Sequence, residues 1–552
     1  MTRALSGGAA VAALLLLCAC QSGVSSLPIA RTGPVSGGQV VEAVAGTPGP
    51  LNPLFEQGDN EREIDSLIYQ GLTTINPQQQ VIGLLAKSWT VSPDGLSYVF
   101  SLRTDVRWAD GAPFNADDVM FTYGTLQSAD YQDPTQQLWK DVVIAKVNQQ
   151  QVKFTLKAPS AAFPLALREG IVAKHAFQGV AIADMARSPR SGARAVGTGP
   201  FKVASISSDR HTVTLERNPY ASPRPYLDHF VFRSYPTPAD ALDAVSRSEA
   251  DTFGDLQSQG AAAMAKRPDV DLMQISTFNF VAVFFNLTPD LSVFFEPPAV
   301  RQALTQAVDR KHIVDTVLEG RADPATGPIP PTDWAYSKQS STKYPYNPAQ
   351  AAKTMQQNGW TMNLQTGLLE KGGRSFQVQL VTADAYPYRQ VAESVRDQLR
   401  LIGVQVVIDP VPATVLLSKY LLGKQFQLAL ADFDIGSDPD QSQLWHSGAQ
   451  ADSLNFTTGD RLPKQALIDK DLEDGIGRVD NGVVKTDVAS RRTAYADFQD
   501  LMADAAPAVF LFEPHYTYVV SKRVRGVHTN PVIEPVDRFQ YVTDWFATNE
   551  GG

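Results

Sequence analysis

Between positions 431 and 440 the chain reads Ala431-Asp432-Phe433-Asp434-Ile435-Gly436-Ser437-Asp438-Pro439-Asp440, which places four carboxylates within nine residues. They follow Gln427-Leu428-Ala429-Leu430-Ala431, an apolar run with the length of a buried strand. Carboxylates at the end of such a strand can face a cleft, where Ala431, Asp432, Phe433, Asp434 and Asp438 are candidate ligand contacts and a desolvated carboxylate would hold an ammonium through a charge-assisted hydrogen bond. Two other readings stay open. The loop can be solvated, with Asp438 or Asp440 capping a helix. It can also bind calcium, although it lacks the glycine and closing glutamate of an EF-hand loop. Upstream, Arg389 follows Ala385-Tyr386-Pro387-Tyr388 and opens a predicted helix. A guidinium there could take a ligand carboxylate bidentately, or form a surface ion pair. Tyr386, Tyr388 and Trp445 offer walls to an apolar cleft, or ordinary core.

Catalytic chemistry has little to build on. There is no Gly-x-Ser-x-Gly elbow and no His-Glu-x-x-His pair. The seven histidines, His175, His211, His229, His312, His446, His515 and His528, are scattered without a pair at helical metal spacing. The residues suit binding without reaction, with no cofactor and no metal.

The two cysteines, Cys18 and Cys20, close an apolar run from Ala9 to Leu17 that follows the short basic start Thr2-Arg3. This is the layout of a secretory leader, too short to span a bilayer of roughly 30 Å. Its ending, Leu17-Cys18-Ala19-Cys20, resembles a bacterial lipobox, which implies cleavage after Ala19 and lipid on the Cys20 sulfur. An ordinary cleaved signal with an incidental cysteine is the alternative. Either way, the working part lies outside the cytoplasm. Cleavage would leave Cys20 alone, so no internal disulfide could form.

Of 552 residues, 43% are hydrophobic and 19% charged, which suits a large packed core. The net charge of −10, without a Lys/Arg-rich run, argues against a nucleic-acid partner. It also argues against an electrostatic hold on anionic lipid.

These residues need a scaffold, and the sequence predicts one of mixed α and β. Residues 21–38, rich in Ser, Gly and Pro, read as a tether. Strands are expected at 40–44, 96–102, 153–157, 201–206, 211–216, 404–408, 427–431 and 508–512. Helices are expected at 61–71, from Ala116, and at 298–319, 390–402 and 489–504, with Gly403 as a stop. Gly197 and Gly199 are expected to allow a bend.

Several segments, in order, resemble the solute-binding lipoproteins of peptide-type ABC importers, the dipeptide/oligopeptide/nickel-binding family (solute-binding protein family 5). They include Leu51-Asn52-Pro53-Leu54, Pro93-Asp94-Gly95, Trp108-Ala109-Asp110-Gly111 through Phe114-Asn115-Ala116-Asp117-Asp118-Val119, and Gly197-Thr198-Gly199-Pro200-Phe201. Phe285-Asn286-Leu287, Val300-Arg301-Gln302-Ala303-Leu304 and Asp438-Pro439-Asp440 continue the series. The resemblance implies a two-lobed periplasmic-binding-protein-like fold of the α/β class, with discontinuous lobes, a hinge and an extra N-terminal subdomain. The implied divisions are a leader at 1–19, a tether at 20–38, lobe I at 39–76, 196–282 and 512–552, the extra subdomain at 77–195, and lobe II at 283–511. It further implies a monomer, tethered by lipid to the outer face of the cytoplasmic membrane, that closes on a small peptide or peptide-like solute and delivers it to ABC permease subunits. A non-transport envelope lipoprotein acting as a regulator on the same fold is the alternative. In peptide-binding relatives the strand near 431–434 pairs with the ligand backbone, and an aspartate before the Asp-Pro-Asp loop holds its amine. Counted without gaps, Ile435 falls at that aspartate, and Asp432 or Asp434 serves only if the loop has shifted. Asn52 and Asn286 fall near the implied cleft mouth and hinge, with backbone support as the competing role. The other residues of the signature near 92–118 suit turns and core rather than ligand contact.

Overall fold

Two hydrophobic cores divide the chain. Buried apolar residues from Phe278 to Phe512 pack into one core. Those from Val40 to Ile275, and again from Tyr516 to Trp545, pack into a second core and its smaller neighbour. The computed structural model describes residues 33–548 apart from 134–135, 255, 257, 289–290, 292, 340–342, 437, 449–461 and 478–486. The leader, Cys20 and most of the tether lie outside the described residues. Among those described, no helix is long and apolar enough to cross a membrane.

One twelve-stranded sheet runs through both lobes. Its shared member is the 14-residue strand Ala508–Ser521. Through Ala508–Phe512 it pairs with Asn279–Phe285 in lobe II, and through His515–Ser521 with Val270–Ser276 in lobe I. The predicted strand 508–512 is only its first part. It continues because Tyr516, Thr517, Tyr518, Val519 and Val520 keep the β-branched and aromatic character that suits a buried strand.

Glu513 sits where this strand passes between the cores, opposite Asp323 in the ladder. It is 7% exposed. Burial, and then the charge of Asp323, push its carboxyl up to about 8. The imidazole of His515 lies 2.9 Å from Asp323. Because the folded state holds this proton more tightly than the unfolded chain, the stability it contributes is complete below the ordinary glutamate range. It is lost as pH rises through about 8. Glu513→Gln is therefore expected to flatten the decline in stability between about pH 5 and 8, by roughly 1–3 kcal/mol. Urea titrations across that range test this, and parallel curves for the two proteins would refute it.

The extra subdomain is a separate sheet of Ala86–Val91, Ser97–Leu102, Gln151–Thr155 and Val143–Asn148, in that spatial order. Its core of Phe100, Trp108, Tyr123 and Phe154 is continuous with that of lobe I. The signature near 92–118 builds this unit. Asn115 caps the helix Ala116–Gln127, and Asp118 closes the capping box. The Trp108 indole N–H donates to one Asp118 oxygen at 3.3 Å, and the Lys174 amide donates to the other at 3.0 Å. The chain bends at 198–200, as expected, and Gly197 and Gly199 also allow close contact. A Cβ on Gly197 would lie 1.8 Å from the Ile68 carbonyl, at the end of the helix Asp59–Ile68.

The helix predicted over 298–319 is two helices, Pro298–Gln306 and Arg310–Thr316. Asp309 breaks it, because its side chain accepts from the His312 amide at 3.0 Å and caps the second helix. The helix predicted at 390–402 runs Tyr388–Arg400, followed by Gly403 at φ +83°.

Candidate functional site

The strand Leu428–Asp434 lies inside the lobe II sheet for only part of its length. Asn279–Phe285 covers one edge throughout. On the other edge Gln377–Ala383 runs parallel to it but reaches only Leu428, Ala429 and Leu430. Residues 431–434 therefore have no strand on that edge among the described residues. This end of the strand meets the crossing between the lobes, since Asp434 pairs with Asn279 and the Ile435 amide donates to the Phe278 carbonyl. An exposed strand edge offers main-chain donors and acceptors to an extended ligand.

The alternation Ala431, Asp432, Phe433, Asp434 sets what surrounds that edge. Ala431 is buried and Phe433 half-buried, with the Phe433 ring 4.9 Å from that of Phe284. Asp432 and Asp434 are exposed. Asp434 accepts from the Gly436 amide at 2.7 Å through one oxygen. Partial enclosure, and then the charge of Asp432, hold its carboxyl above the usual range. Tyr388, at the start of Tyr388–Arg400, meets Asp432: burial, then the Asp432 charge and its hydrogen bond, push the phenol up. Asp432, Asp434 and Tyr388 thus share the open edge of the strand.

Other sequence candidates stand elsewhere. Asp438 is turned inward and pairs with Arg491 at 2.6 Å, and both side chains are largely buried. Arg491 also lies over the Trp334 ring and donates to the Gly475 carbonyl, so the pair ties the acidic loop to the helix Val488–Ala505. Asp440 is not the cap of the short helix Ser442–Trp445, whose N-cap is Gln441; it accepts from the Ser442 amide at 2.9 Å from one residue earlier. Trp445 is fully buried and donates to Gln441 at 2.9 Å, so it is core and lines no cleft. Asn52 is enclosed, donating to Ser191 and accepting from the Leu54 amide. Asn286 likewise donates to the Lys424 carbonyl and accepts from the Thr288 amide. Both hold backbone. Arg389 is exposed and pairs with Asp384 at 3.1 Å and Glu393 at 3.6 Å, a surface ion pair. Tyr386 donates to the Val317 carbonyl and accepts from Arg321, which fixes it beside the 310–316 helix.

The open edge was not legible in the sequence, because it depends on how far a partner strand from 377–383 extends. Beside the resemblance, which implied a ligand-pairing strand near 431–434, only the polar–apolar alternation at 432–434 signalled it.

The profile described as bacterial extracellular solute-binding proteins, family 5 middle, matches residues 80–455. The chain is 27% identical over 533 residues to the oligopeptide-binding protein AppA of Bacillus subtilis, covering 94% of each. The structure of that AppA in complex with a nonapeptide superposes with a TM-score of 0.67 at 25% identity, covering 94% of this chain and 100% of the other. HbpA2 from Haemophilus parasuis superposes with a TM-score of 0.77 at 21% identity, covering 93% and 100%, and shares the fold. With a profile match over more than half its length and the two-lobed fold around a shared strand, the chain belongs to the bacterial extracellular solute-binding proteins, family 5.

Proposed function

We propose that this protein is the substrate-binding component of an ABC importer. It captures a short peptide between its lobes and presents it to the permease, as a monomer held to the outer face of the cytoplasmic membrane by lipid on Cys20. No bond of the solute is made or broken. The observation that carries the reading is the uncovered edge at 431–434, aimed at the crossing between the lobes. Main-chain pairing there would bind peptides of many sequences, because it uses groups that every residue has. Asp434 takes the peptide ammonium. It lies on this edge, and only its Oδ1 is engaged by Gly436. The likeness to an oligopeptide-binding protein over nearly the whole chain supports the same class of solute.

Native mass spectrometry of the protein extracted from its own envelope tests this. The expected result is a diacylglyceryl mass on Cys20 and bound species whose masses form an amino-acid ladder. Asp434→Asn is expected to weaken a free-amine peptide by about tenfold, and its N-acetylated form far less. A bare protein mass that a mixed peptide digest leaves unchanged would refute the peptide reading. Equal losses for the two peptides would refute the role of Asp434.

A further inference from the structure

A cavity of about 190 Å³ lies within lobe II. That is room for about six waters, at roughly 30 Å³ each. It is walled by the helices Pro298–Gln306 and Val488–Ala505, by the start of the shared strand Ala508–Ser521, and by the loops at 326–328 and 343–345. None of its lining belongs to lobe I or to the strand edge at 431–434.

Two cations line it, Arg310 and Lys343, and no carboxylate does. Lys343 is engaged, pairing with Asp504 at 3.0 Å and Asp500 at 3.5 Å. Arg310, half-buried beside it, is not. Its Nε donates to the Phe510 carbonyl at 2.6 Å, and its two terminal nitrogens have no partner among the described residues. It forms no ion pair among those residues, and Asp309, its neighbour in sequence, acts on it through its charge alone. Burial pulls the guanidinium down to about 10, which leaves it charged at neutral pH. Buried arginines elsewhere in the chain are served differently. Four carbonyls saturate Arg301, and carboxylates neutralise Arg491 and Arg538. A cation drawn out of water without a counter-charge is costly, and water in the cavity hydrates it without neutralising it.

Most of the remaining wall is apolar, and includes Pro328, Met502, Ala503 and Phe510. A phosphate dianion would find one free guanidinium there and little else to bind it, and a dipeptide would exceed the volume. What fits is a monoanion with a planar head, gripped by two terminal nitrogens, and a short apolar stem.

We infer that this cavity binds a short-chain monocarboxylate, its head on the terminal nitrogens of Arg310 and its stem along Met502 and Ala503. The inference does not depend on peptide capture between the lobes.

Saturation-transfer NMR on the full chain, titrated with butyrate and with butyramide as its uncharged counterpart, tests the site. Butyrate is expected to bind about tenfold more tightly than butyramide, or better. Acetate, shorter by two CH2 groups, is expected to bind roughly tenfold more weakly than butyrate. Arg310→Gln is expected to abolish the preference for the acid over the amide. If Arg310 served only to hold the Phe510 carbonyl, that variant would lower the thermal midpoint and leave the acid-to-amide ratio unchanged. Ala503→Leu keeps Arg310 and fills the cavity from a half-buried helical position. It is expected to weaken butyrate by about tenfold or more, with a thermal midpoint near that of the parent, and serves if Arg310→Gln fails to fold. Butyrate that binds no better than butyramide, or a preference that neither variant changes, overturns the inference. Butyrate binding in a protein that takes no peptide leaves the inference standing and removes the peptide reading, and peptide binding in a protein that takes no butyrate does the reverse.

Discussion

Arg538→Met is expected to cost about 3–5 kcal/mol, because it leaves two carboxylates buried without their cation. Arg538 is 1% exposed at the centre of lobe I. It donates to Glu42 at 2.9 Å, to Glu63 at 2.8 Å and to the Pro535 carbonyl at 2.8 Å, with its guanidinium 4.1 Å from the centre of the Phe539 ring. Glu42 lies on the strand Gln39–Ala45 and Glu63 on the helix Asp59–Ile68, while Arg538 lies on the short helix Pro535–Phe539. Tyr518 of the shared strand donates to Glu42 at 2.7 Å. Four segments distant in sequence thus meet at one charge. Replacing all three ionic residues together, as Glu42→Gln, Glu63→Gln and Arg538→Met, is expected to restore most of the loss, since no net charge then stays buried. Urea denaturation of the single and triple variants measures both effects. A single variant within 1 kcal/mol of the parent (about a quarter of the expected loss) would show that the triad contributes little.

A loss of about 3 kcal/mol or more is expected for Arg301→Leu in lobe II, from several carbonyls left without a donor. Arg301 is fully buried and faces no carboxylate; its donors reach the carbonyls of Phe295, Glu296, Ala505 and Ala506 at 2.6–3.1 Å. Two of these end the helix Val488–Ala505, where the helix dipole concentrates negative charge. Arg301→Lys is expected to rescue only a small part, because one ammonium cannot serve carbonyls on two sides. Thermal and urea midpoints of the Leu and Lys variants provide the check. Full rescue by lysine would mean that the charge alone matters.

Arg301 also shows how far the sequence could be read. The segment Val300-Arg301-Gln302-Ala303-Leu304 marked the family, and its helical spacing placed Val300 and Leu304 in the core. Nothing local said where the whole guanidinium went, because two of its four acceptors, the Ala505 and Ala506 carbonyls, lie 204 and 205 residues away. The candidate site divides in the same way. The acidic loop was visible, since Asp432 and Asp434 alternate with apolar neighbours. The inward turn of Asp438 was not, because Arg491 comes from a distant helix. Trp445 illustrates the ambiguity of aromatics: its type fits a cleft wall and a core equally, and Gln441 decides for the core. Strand and helix positions were read well where periodicity was strong, as at 390–402. They failed where one side-chain cap broke a continuous apolar pattern, as at Asp309.

The strand Ala508–Ser521 has a consequence for biosynthesis. Lobe I's strand Val270–Ser276 pairs with it, yet the two are separated by more than 200 residues of chain. A ribosome therefore makes most of lobe I, and then all of lobe II, before it makes the strand that completes the first sheet. Contacts of such long separation form slowly. The growing polypeptide cannot complete the sheet of its first lobe until the strand Ala508–Ser521 has been made. The order of strands along the chain thus makes the closing of the first lobe one of the last steps of folding.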